Sequence, residues 1–422
     1  MPTIETLGEL LGDLALEVVV DPAQPGDLRL HIWNGSRATT TARLKHDGAL
    51  YIPKQFPSSL GPLVRFAPPS LPFGSTTKLV KSLSDFLSTY ARLQPETTFL
   101  LVAFALATWF CDVTAVAPIL YLLGPESEAS GVLRLLGCVC RRSALLSDID
   151  LRGLTAFPKG LGATLLLNHM DLGRRVKRIL LASTERHFGV LRGLGRLDVY
   201  GARAFACTDF PPGDRGLIVS LPPTQDPPPL LSDAEGERIA HGFQAKLLRY
   251  RMANYSEVRD REIDCKAFVP EMRDEAQAWL APICNCPELS RAVHAELLRQ
   301  SEELAGTRFL DPKCVVTEAA LFFCHKPEAT QFLVGELAET VNNLLKGRHE
   351  EATLSDKRVG LILRELGVRG ERVAAGYKVS FTDVMRERIH RLAHDFHVAS
   401  LDDRVHRCRF CSGKQILSRR VQ

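Results

Sequence analysis

A strong charge of one sign, a secretory signal and an even set of cysteines are all missing from this 422-residue sequence. Lys and Arg total 53 against 49 Asp and Glu, and a net charge of +4 does not by itself indicate a nucleic-acid-binding protein. Eleven Cys in a long chain, without a signal-peptide pattern at its start, argue against a disulfide framework. We therefore expect a cytoplasmic protein of two or three domains.

One long apolar run, residues 99–123, could be mistaken for a membrane-spanning segment. Asp112 lies at its centre, at a cost of roughly 2.5 to 3.5 kcal/mol for insertion into a bilayer, and Pro118 divides a helix-like half from a strand-like half. The run instead predicts a buried helix, a turn and a core strand. We expect no association with a membrane.

Two further features are missing, a convincing internal repeat and a constellation of nucleophile, acid and base. What the sequence does contain is a change of pattern along the chain. Residues 1–75 hold short strand-like runs and a Pro-rich connector, and residues 76–229 alternate helices with short apolar runs. Such runs indicate strands buried on both faces, so we predict an α/β core with a mainly parallel sheet. The strand-like runs are LALEVVV, LRLHIW and ALYIP, then APILYLL, SALLSD, ATLLL, RLDVY, ARAFAC and RGLIVSL.

The rest of the chain is predicted to be mostly helical. Residues 230–328 form a helical region, residues 329–397 a winged-helix-like domain, and residues 398–422 a tail. Ser232 and Glu235 stand at capping-box spacing and predict the start of a long helix. Further helices are expected near 272–281, 287–304, 315–324 and 329–346.

The stretch LLGPESEASG, Leu122–Gly131, follows an apolar strand and leads into a helix, which is the setting of a phosphate-binding loop. In the motif Gly-x-x-x-x-Gly-Lys-Ser/Thr, backbone amides cradle the phosphates, Lys reaches them and the hydroxyl binds Mg²⁺. Aligned from Gly124 and Pro125, the closing positions fall on Ala129, Ser130 and Gly131. The Lys and the hydroxyl are lost, and an ordinary turn between strand and helix is the alternative interpretation.

A second stretch, ATLLLNHMDL, ends where a P-loop ATPase has the Asp-Glu pair that holds Mg²⁺ and activates water. Here the two positions are Asn168 and His169, and only Asp171 is acidic. A neutral amide and an imidazole do not replace a metal-binding carboxylate and a catalytic Glu.

The order LATWFCD, APILYLLGPESEAS, GVLRLLGCVCRR, ATLLLNHMD, VYGARAFA and DRGLIVSL resembles the ATPase core of phage and plasmid primase-associated helicases and their bacterial relatives. The resemblance covers about residues 95–221. It implies a P-loop fold in which Gly124 and Pro125 match the start of the loop, Asp171 an acidic-motif Asp and Arg215 the Arg of the last segment. It also implies ATP-driven motion on DNA as a ring, for which this chain lacks the catalytic residues at Ser130, Gly131, Asn168 and His169.

Near the C-terminus, residues 334–381 have the pattern helix, turn, helix and Gly-containing hairpin that is typical of a winged helix. Val359, Ile362, Leu363 and Leu366 form an apolar face, with Ser355 as the N-cap. The predicted DNA contacts are basic residues of the second helix and the hairpin, namely Lys357, Arg358, Arg364, Arg369, Arg372 and Lys378. The alternative is a packing module whose charged face is only solvated.

The tail contains Cys408 and Cys411 at the spacing of a zinc knuckle, with His406 just before them. The remaining ligands of such a site could be His394 or His397, or Cys284 and Cys286. Free cysteines in a mobile tail are the alternative. His390 lies one helical turn before His394, and His325 is interpreted as an end-of-helix residue, not a ligand.

Together these patterns predict a P-loop ATPase-like protein without catalytic residues, acting as a DNA-binding or assembly factor, alone or with a partner ATPase or further copies of itself. ATP and Mg²⁺ are not expected as cofactors, and zinc is left open. The alternatives are a divergent active NTPase or helicase of a mobile element, and a protein-interaction scaffold.

Overall fold

The structure of the protein is a computed structural model. It describes residues 1–21, 24–56, 60–186, 190–192, 195–209, 215–223, 229, 231–308, 310–326, 329–348, 350–374, 376–396, 398, 408 and 410. These residues form two compact units, Met1–Ser301 and Glu302–Gln422. Most of the predicted boundary at 222–229 lies outside the described residues.

The first unit begins with a β-rich piece, as the apolar runs predicted. Its strands are β1 (Thr3–Thr6), β2 (Leu10–Leu11), β3 (Leu14–Asp21), β4 (Gln24–Trp33), β5 (Ala38–Thr41), β6 (Leu44–His46) and β7 (Ala49–Pro53). They form an antiparallel sheet in the order β2-β3-β4-β5 and a smaller sheet in the order β1-β7-β6. Leu16, Val18, Leu30 and Tyr51 pack together in the core of this piece because the strands alternate their side chains between faces.

A five-stranded parallel sheet forms the centre of the first unit. The strands that follow in the chain are β8 (Ile119–Leu123), β9 (Ser143–Leu146), β10 (Thr164–Leu167), β11 (Val190–Arg192), β12 (Gly195–Leu197), β13 (Arg203–Cys207) and β14 (Leu217–Ser220). The order in the sheet is β14-β8-β13-β10-β9, and all neighbouring pairs are parallel. The α/β core with a parallel sheet is therefore confirmed. The run RLDVY is not a strand of this sheet, because its described strand residues form β12, which pairs antiparallel with β11.

Helices cover this sheet, and the last of them continues past Ser301 into the second unit. They are α1 (Thr76–Ala91), α2 (Pro95–Thr108), α3 (Glu126–Val139), α4 (Leu151–Ala156), α5 (Arg174–Ala182), α6 (Asp233–Asp260), α7 (Pro270–Leu280) and α8 (Pro287–Arg308), with a 3₁₀ turn at Ala281–Ile283. Residues 100–108 of α2 are all buried, and the chain then turns into the core strand β8, as predicted. The Ser232 hydroxyl accepts a hydrogen bond from the Glu235 amide at 3.3 Å and caps α6. Within the described residues, no helix has the length and apolar character required to cross a bilayer.

The described part of the second unit contains the end of α8, further helices and a small antiparallel sheet. In chain order its elements are α9 (Pro312–His325), β15 (Gln331–Leu333), α10 (Val334–Gly347), α11 (Asp356–Glu365), β16 (Glu371–Val373), β17 (Gly376–Ser380) and α12 (Asp383–Asp395), and the sheet order is β15-β17-β16. Val359, Ile362, Leu363 and Leu366 are buried in its core, which confirms the apolar face of α11.

Two details of the second unit differ from the sequence analysis. The helix expected at 329–346 begins only at Val334, because Phe332 is buried and its strand pairs with Val379 of β17. Helix α9, which the sequence analysis placed in the preceding helical region, packs into the core of this unit through residues such as Val316 and Ala320.

Candidate functional site

The carboxyl ends of the parallel strands bring most of the predicted nucleotide-site residues together. Gly124 follows β8, Asn168 follows β10 and Thr208 follows β13, and in parallel sheets ligands bind at this edge. An open cavity of about 620 Å³ lies there, lined by Gly124, Glu126, Asn168, His169, Met170, Asp171, Lys177, Ala206, Cys207, Thr208 and Asp209. The site is therefore a cleft at the edge where a P-loop ATPase holds its nucleotide.

The loop between β8 and α3 is too short to surround a phosphate. Only Gly124 and Pro125 separate the strand from the helix, which begins at Glu126. The positions that would form a phosphate cradle are thus already helical. The first turn carries Glu126 and Glu128, whose carboxylates complement the positive end of the helix dipole and would repel a triphosphate.

Gly124 has a packing role that explains its presence without a nucleotide. A Cβ atom at this position would overlap the backbone oxygen of Leu221, which follows β14. The Leu221 amide also donates a hydrogen bond to the Leu123 oxygen at 2.7 Å. Glycine is needed here because two backbones approach each other closely.

Ser130 and Asn168 contact each other directly, since the Ser130 hydroxyl donates a hydrogen bond to the Asn168 side-chain oxygen. In the motif alignment, these two residues stand at the positions of the loop Lys and an acidic-motif carboxylate. In the structure their side chains are hydrogen-bonded to each other. His169 follows Asn168 in the chain, and its buried Nδ1 has no hydrogen-bond partner among the residues that the structure describes.

The charges around the cleft favour a cation over an anion. Among the described residues that line it, Glu126, Asp171 and Asp209 are acidic and Lys177 is the one basic residue. The sequence analysis did not identify Lys177 or Asp209, because neither belongs to a motif. A triphosphate in this cleft would meet more negative than positive charge.

Arg215 does not join the cleft. It precedes β14, so it lies at the amino end of that strand, whereas Gly124 follows the carboxyl end of the parallel strand β8. Its guanidinium forms an ion pair with Glu185. The structure therefore brings Gly124, Pro125, Ser130, Asn168, His169 and Asp171 to one edge and leaves Arg215 at the other.

A buried ion network beneath the β-rich piece was not foreseen. The carboxylate of Glu17, on β3, accepts hydrogen bonds from Arg141, Arg142 and Arg251. Burial alone would raise the pKa of Glu17, but the three guanidinium groups outweigh burial and hold it below its usual value. Arg251 also pairs with Asp112 at 2.5 Å. Asp112, the residue that argued against a membrane-spanning segment, is thus paired with a buried arginine.

In the second unit, basic side chains line a groove between α11 and the strands β16 and β17. The groove has a volume of about 990 Å³, and its lining includes Lys357, Arg358, Arg364, Arg369, Leu361 and Tyr377. All six of these side chains are exposed. Gly376, with φ of +119°, is in the left-handed region and makes the tight turn into β17 possible.

The other two predicted DNA contacts are placed differently. Arg372 is exposed on β16, whereas Lys378 on β17 is half-buried and pairs with Glu371 at 2.7 Å. The acidic residues Glu336 and Asp356 also belong to the lining of the groove, so its basic character is only partly offset. The sequence analysis did not identify Leu361 and Tyr377 as part of this groove, because it considered only basic residues there.

Candidate metal ligands come together in the second unit in an unexpected combination. His325, His390 and Cys408 place their ligand atoms within 4.8 Å of one another. Cys284 and Cys286 belong to the first unit, and His394 lies near Asp395. The predicted ligands His406 and Cys411 and the alternative His397 lie outside the described residues.

Comparisons with known proteins give only distant similarities. No family model matches the sequence, and no curated protein matches it significantly. Among solved structures, the apo C-terminal region of NrS-1 is 11% identical with a TM-score of 0.40, covering 87% of this chain and 96% of that chain. A full-length MCM homolog from Methanopyrus kandleri is 13% identical with a TM-score of 0.36, covering 69% and 78%. Drosophila ORC bound to DNA is 12% identical with a TM-score of 0.20, covering 76% and 94%. These identities and TM-scores are too low to assign the chain to a family.

Proposed function

We propose that this protein is a P-loop ATPase-like scaffold that does not hydrolyse nucleotide, and that its C-terminal unit binds duplex DNA. The observation that carries the proposal is the groove of the second unit, where Lys357, Arg358, Arg364 and Arg369 converge around α11. Basic side chains that converge on one concave surface are typical of surfaces that bind the phosphates of nucleic acids.

The arrangement of the second unit supports duplex DNA as the ligand. Helix α11 presents Lys357 and Arg358 in its first turn, and a recognition helix contacts base edges with its N-terminal residues. Arg369 and Arg372 flank the β16–β17 hairpin, where the wing of a winged helix contacts the phosphate backbone. The order of elements, with two helices followed by a hairpin, is that of a winged helix.

The first unit supports the scaffold part of the proposal. The strand that precedes the Gly-Pro turn, β8, lies between β14 and β13 in the parallel sheet. The chain connects β8 to the distant strand β9 and then returns, which creates a switch point at the carboxyl edge. The short turn, the Ser130–Asn168 hydrogen bond and the acidic lining make triphosphate binding unfavourable there.

A salt titration of DNA binding tests the proposal. If the four groove cations each neutralise one phosphate, log Kd should change with log salt concentration with a slope of about 3.6. Kd should then increase on the order of 10²-fold between 50 and 200 mM salt. Fluorescence anisotropy with a labelled duplex and the full chain measures both values.

The triple variant K357A/R358A/R364A should reduce this slope by about 2.7 and weaken binding to every sequence tested. Lys346→Ala is the matched control, because Lys346 lies in the last turn of α10 whereas the groove contacts the first turn of that helix. An unchanged slope in the triple variant would show that DNA does not bind in the groove. If no duplex binds but a protein partner is lost from the triple variant, the unit is an interaction module.

A further inference from the structure

We propose that His325, His390 and Cys408 bind one Zn²⁺ ion that ties the chain at Cys408 to helices α9 and α12. The inference is independent of the proposed function, because it concerns the internal architecture of the second unit. His325 is the last residue of α9, His390 lies within α12, and Cys408 belongs to the tail. Residues far apart in sequence therefore converge on one point.

The distances between the ligand atoms are close to those of a tetrahedral zinc site. The two Nε2 atoms of His325 and His390 are 3.1 Å apart, and the His390 Nε2 is 3.2 Å from the Cys408 Sγ. With Zn–N distances of about 2.0 to 2.1 Å and Zn–S of about 2.3 Å, tetrahedral geometry requires N···N near ~3.4 Å and N···S near ~3.6 Å. The His325–His390 and His390–Cys408 distances are each within a few tenths of an ångström of these values, and all three ligand atoms lie within 4.8 Å of one another.

The His390 ring is oriented for metal binding. Its Nδ1 donates a hydrogen bond to the Arg386 backbone oxygen one turn earlier, at 2.7 Å. This hydrogen bond fixes the tautomer in which Nε2 carries the lone pair, and Nε2 is the atom that contacts both His325 and Cys408. A backbone partner on the second ring nitrogen is typical of histidines that bind metals.

Surrounding contacts hold the ligands in place. Arg386 donates hydrogen bonds to the backbone oxygens of Cys324 and Ala329, both at 2.5 Å, so it links α12 to the end of α9 beside His325. His390 is only 4% exposed, and the Phe410 ring lies 5.4 Å from its ring. A rigid and partly apolar shell of this kind is suited to a structural ion rather than a catalytic one.

The three ligands of the described residues have the chemistry of a zinc site. Two imidazoles and one thiolate are ligands that Zn²⁺ accepts in tetrahedral sites. Cys411 and His406, the other two ligands predicted from the sequence, lie outside the described residues.

The test is the zinc content and cobalt spectrum of the full chain. We expect one zinc per chain by elemental analysis, and Co²⁺ added to the apo-protein should give tetrahedral d–d bands and a thiolate charge-transfer band. H325A, H390A and C408S should each lose stoichiometric zinc. Because H390A changes a buried residue, H325A and C408S provide the same test at the end of a helix and in the tail.

A histidine variant is the matched control. His394 lies one turn after His390 on α12, so H394A should retain one zinc and an unchanged cobalt spectrum. A full chain that contains no zinc and gives no cobalt bands would overturn the proposal. Retention of one zinc in both H325A and C408S would overturn the ligand set.

Discussion

Replacement of Glu17 should destabilise the first unit strongly, although Glu17 lies far from the cleft in sequence. Its carboxylate is 2.7 Å from Arg141 and 3.1 Å from Arg251, and it also pairs with Arg142. All four side chains are at most 5% exposed. A charge left unpaired in such a place cannot be compensated by water.

The size of the effect follows from the partners that would remain. Without Glu17, Arg251 keeps its two hydrogen bonds to Asp112, at 2.6 and 2.5 Å, but Arg142 keeps, among the described residues, only the backbone oxygens of Leu161 and Leu7. Removal of one partner from a buried ion pair costs about 3 to 5 kcal/mol, so E17Q should lose stability in this range. D112N should lose about 1.5 to 3 kcal/mol, because the Asp112 side chain is 35% exposed and Glu17 would still pair with all three arginines.

Urea unfolding followed by tryptophan fluorescence measures this difference. The three Trp residues, Trp33, Trp109 and Trp279, all belong to the first unit, so their emission reports that unit alone. Trp109 is itself joined to the network, since Arg251 donates a hydrogen bond to its backbone oxygen. An E17Q protein that loses less than about 1 kcal/mol, or less than D112N, would show that the network is not the main link between the β-rich piece and the core.

Three smaller predictions concern the turn of the cleft and a buried histidine. Gly124→Ala should destabilise the first unit by about 1 to 3 kcal/mol, because the new methyl group overlaps the Leu221 oxygen. Gly131→Ala should instead stabilise it by about 0.5 to 1 kcal/mol, because Gly131 is an exposed helical residue with open space around it, and the two urea midpoints should move in opposite directions. Burial lowers the pKa of His31 to about 4, so the unfolded chain binds its proton first and stability decreases as the pH falls from about 6.5. Between pH 7 and pH 5 the loss should be about 2 kcal/mol, and an H31Q variant that shows the same loss would contradict this assignment.

Much of the first unit could be predicted from the sequence, because its strands are short apolar runs buried on both faces. The runs around Ile119, Thr164 and Arg203 became β8, β10 and β13 for this reason. The prediction that RLDVY is a strand of the parallel sheet was wrong, because a short apolar run does not show which strand it pairs with. Part of this run belongs to β12, which pairs with the neighbouring β11 in a hairpin.

The position of the cleft could be predicted from the sequence, but its geometry could not be predicted. The motif alignment placed Gly124, Ser130 and Asn168 at one edge of the sheet, which a parallel sheet requires of residues that follow its strands. That α3 begins already at Glu126 depends on helix propensity and packing across several strands, and no spacing rule contains this information.

Interactions between distant residues were the hardest to foresee. Glu17 and Arg251 are separated by 234 positions, and His325 and His390 by 65, so neither pair forms a local pattern. The prediction that His325 lies at the end of a helix was correct, since it is the last residue of α9. The sequence did not indicate that His390 of α12 lies next to it. Only the packing of whole helices determines such contacts.

The central claim is that the cleft at the carboxyl edge is a retained scaffold without a working nucleotide site. Calorimetric titration of the full chain with ATP and Mg²⁺, with and without duplex DNA, tests it most directly. The short turn before Glu126 and the Ser130–Asn168 hydrogen bond predict no saturable heat of binding under either condition. Saturable, Mg²⁺-dependent binding that is lost when Asp171 is replaced by Asn would contradict the claim.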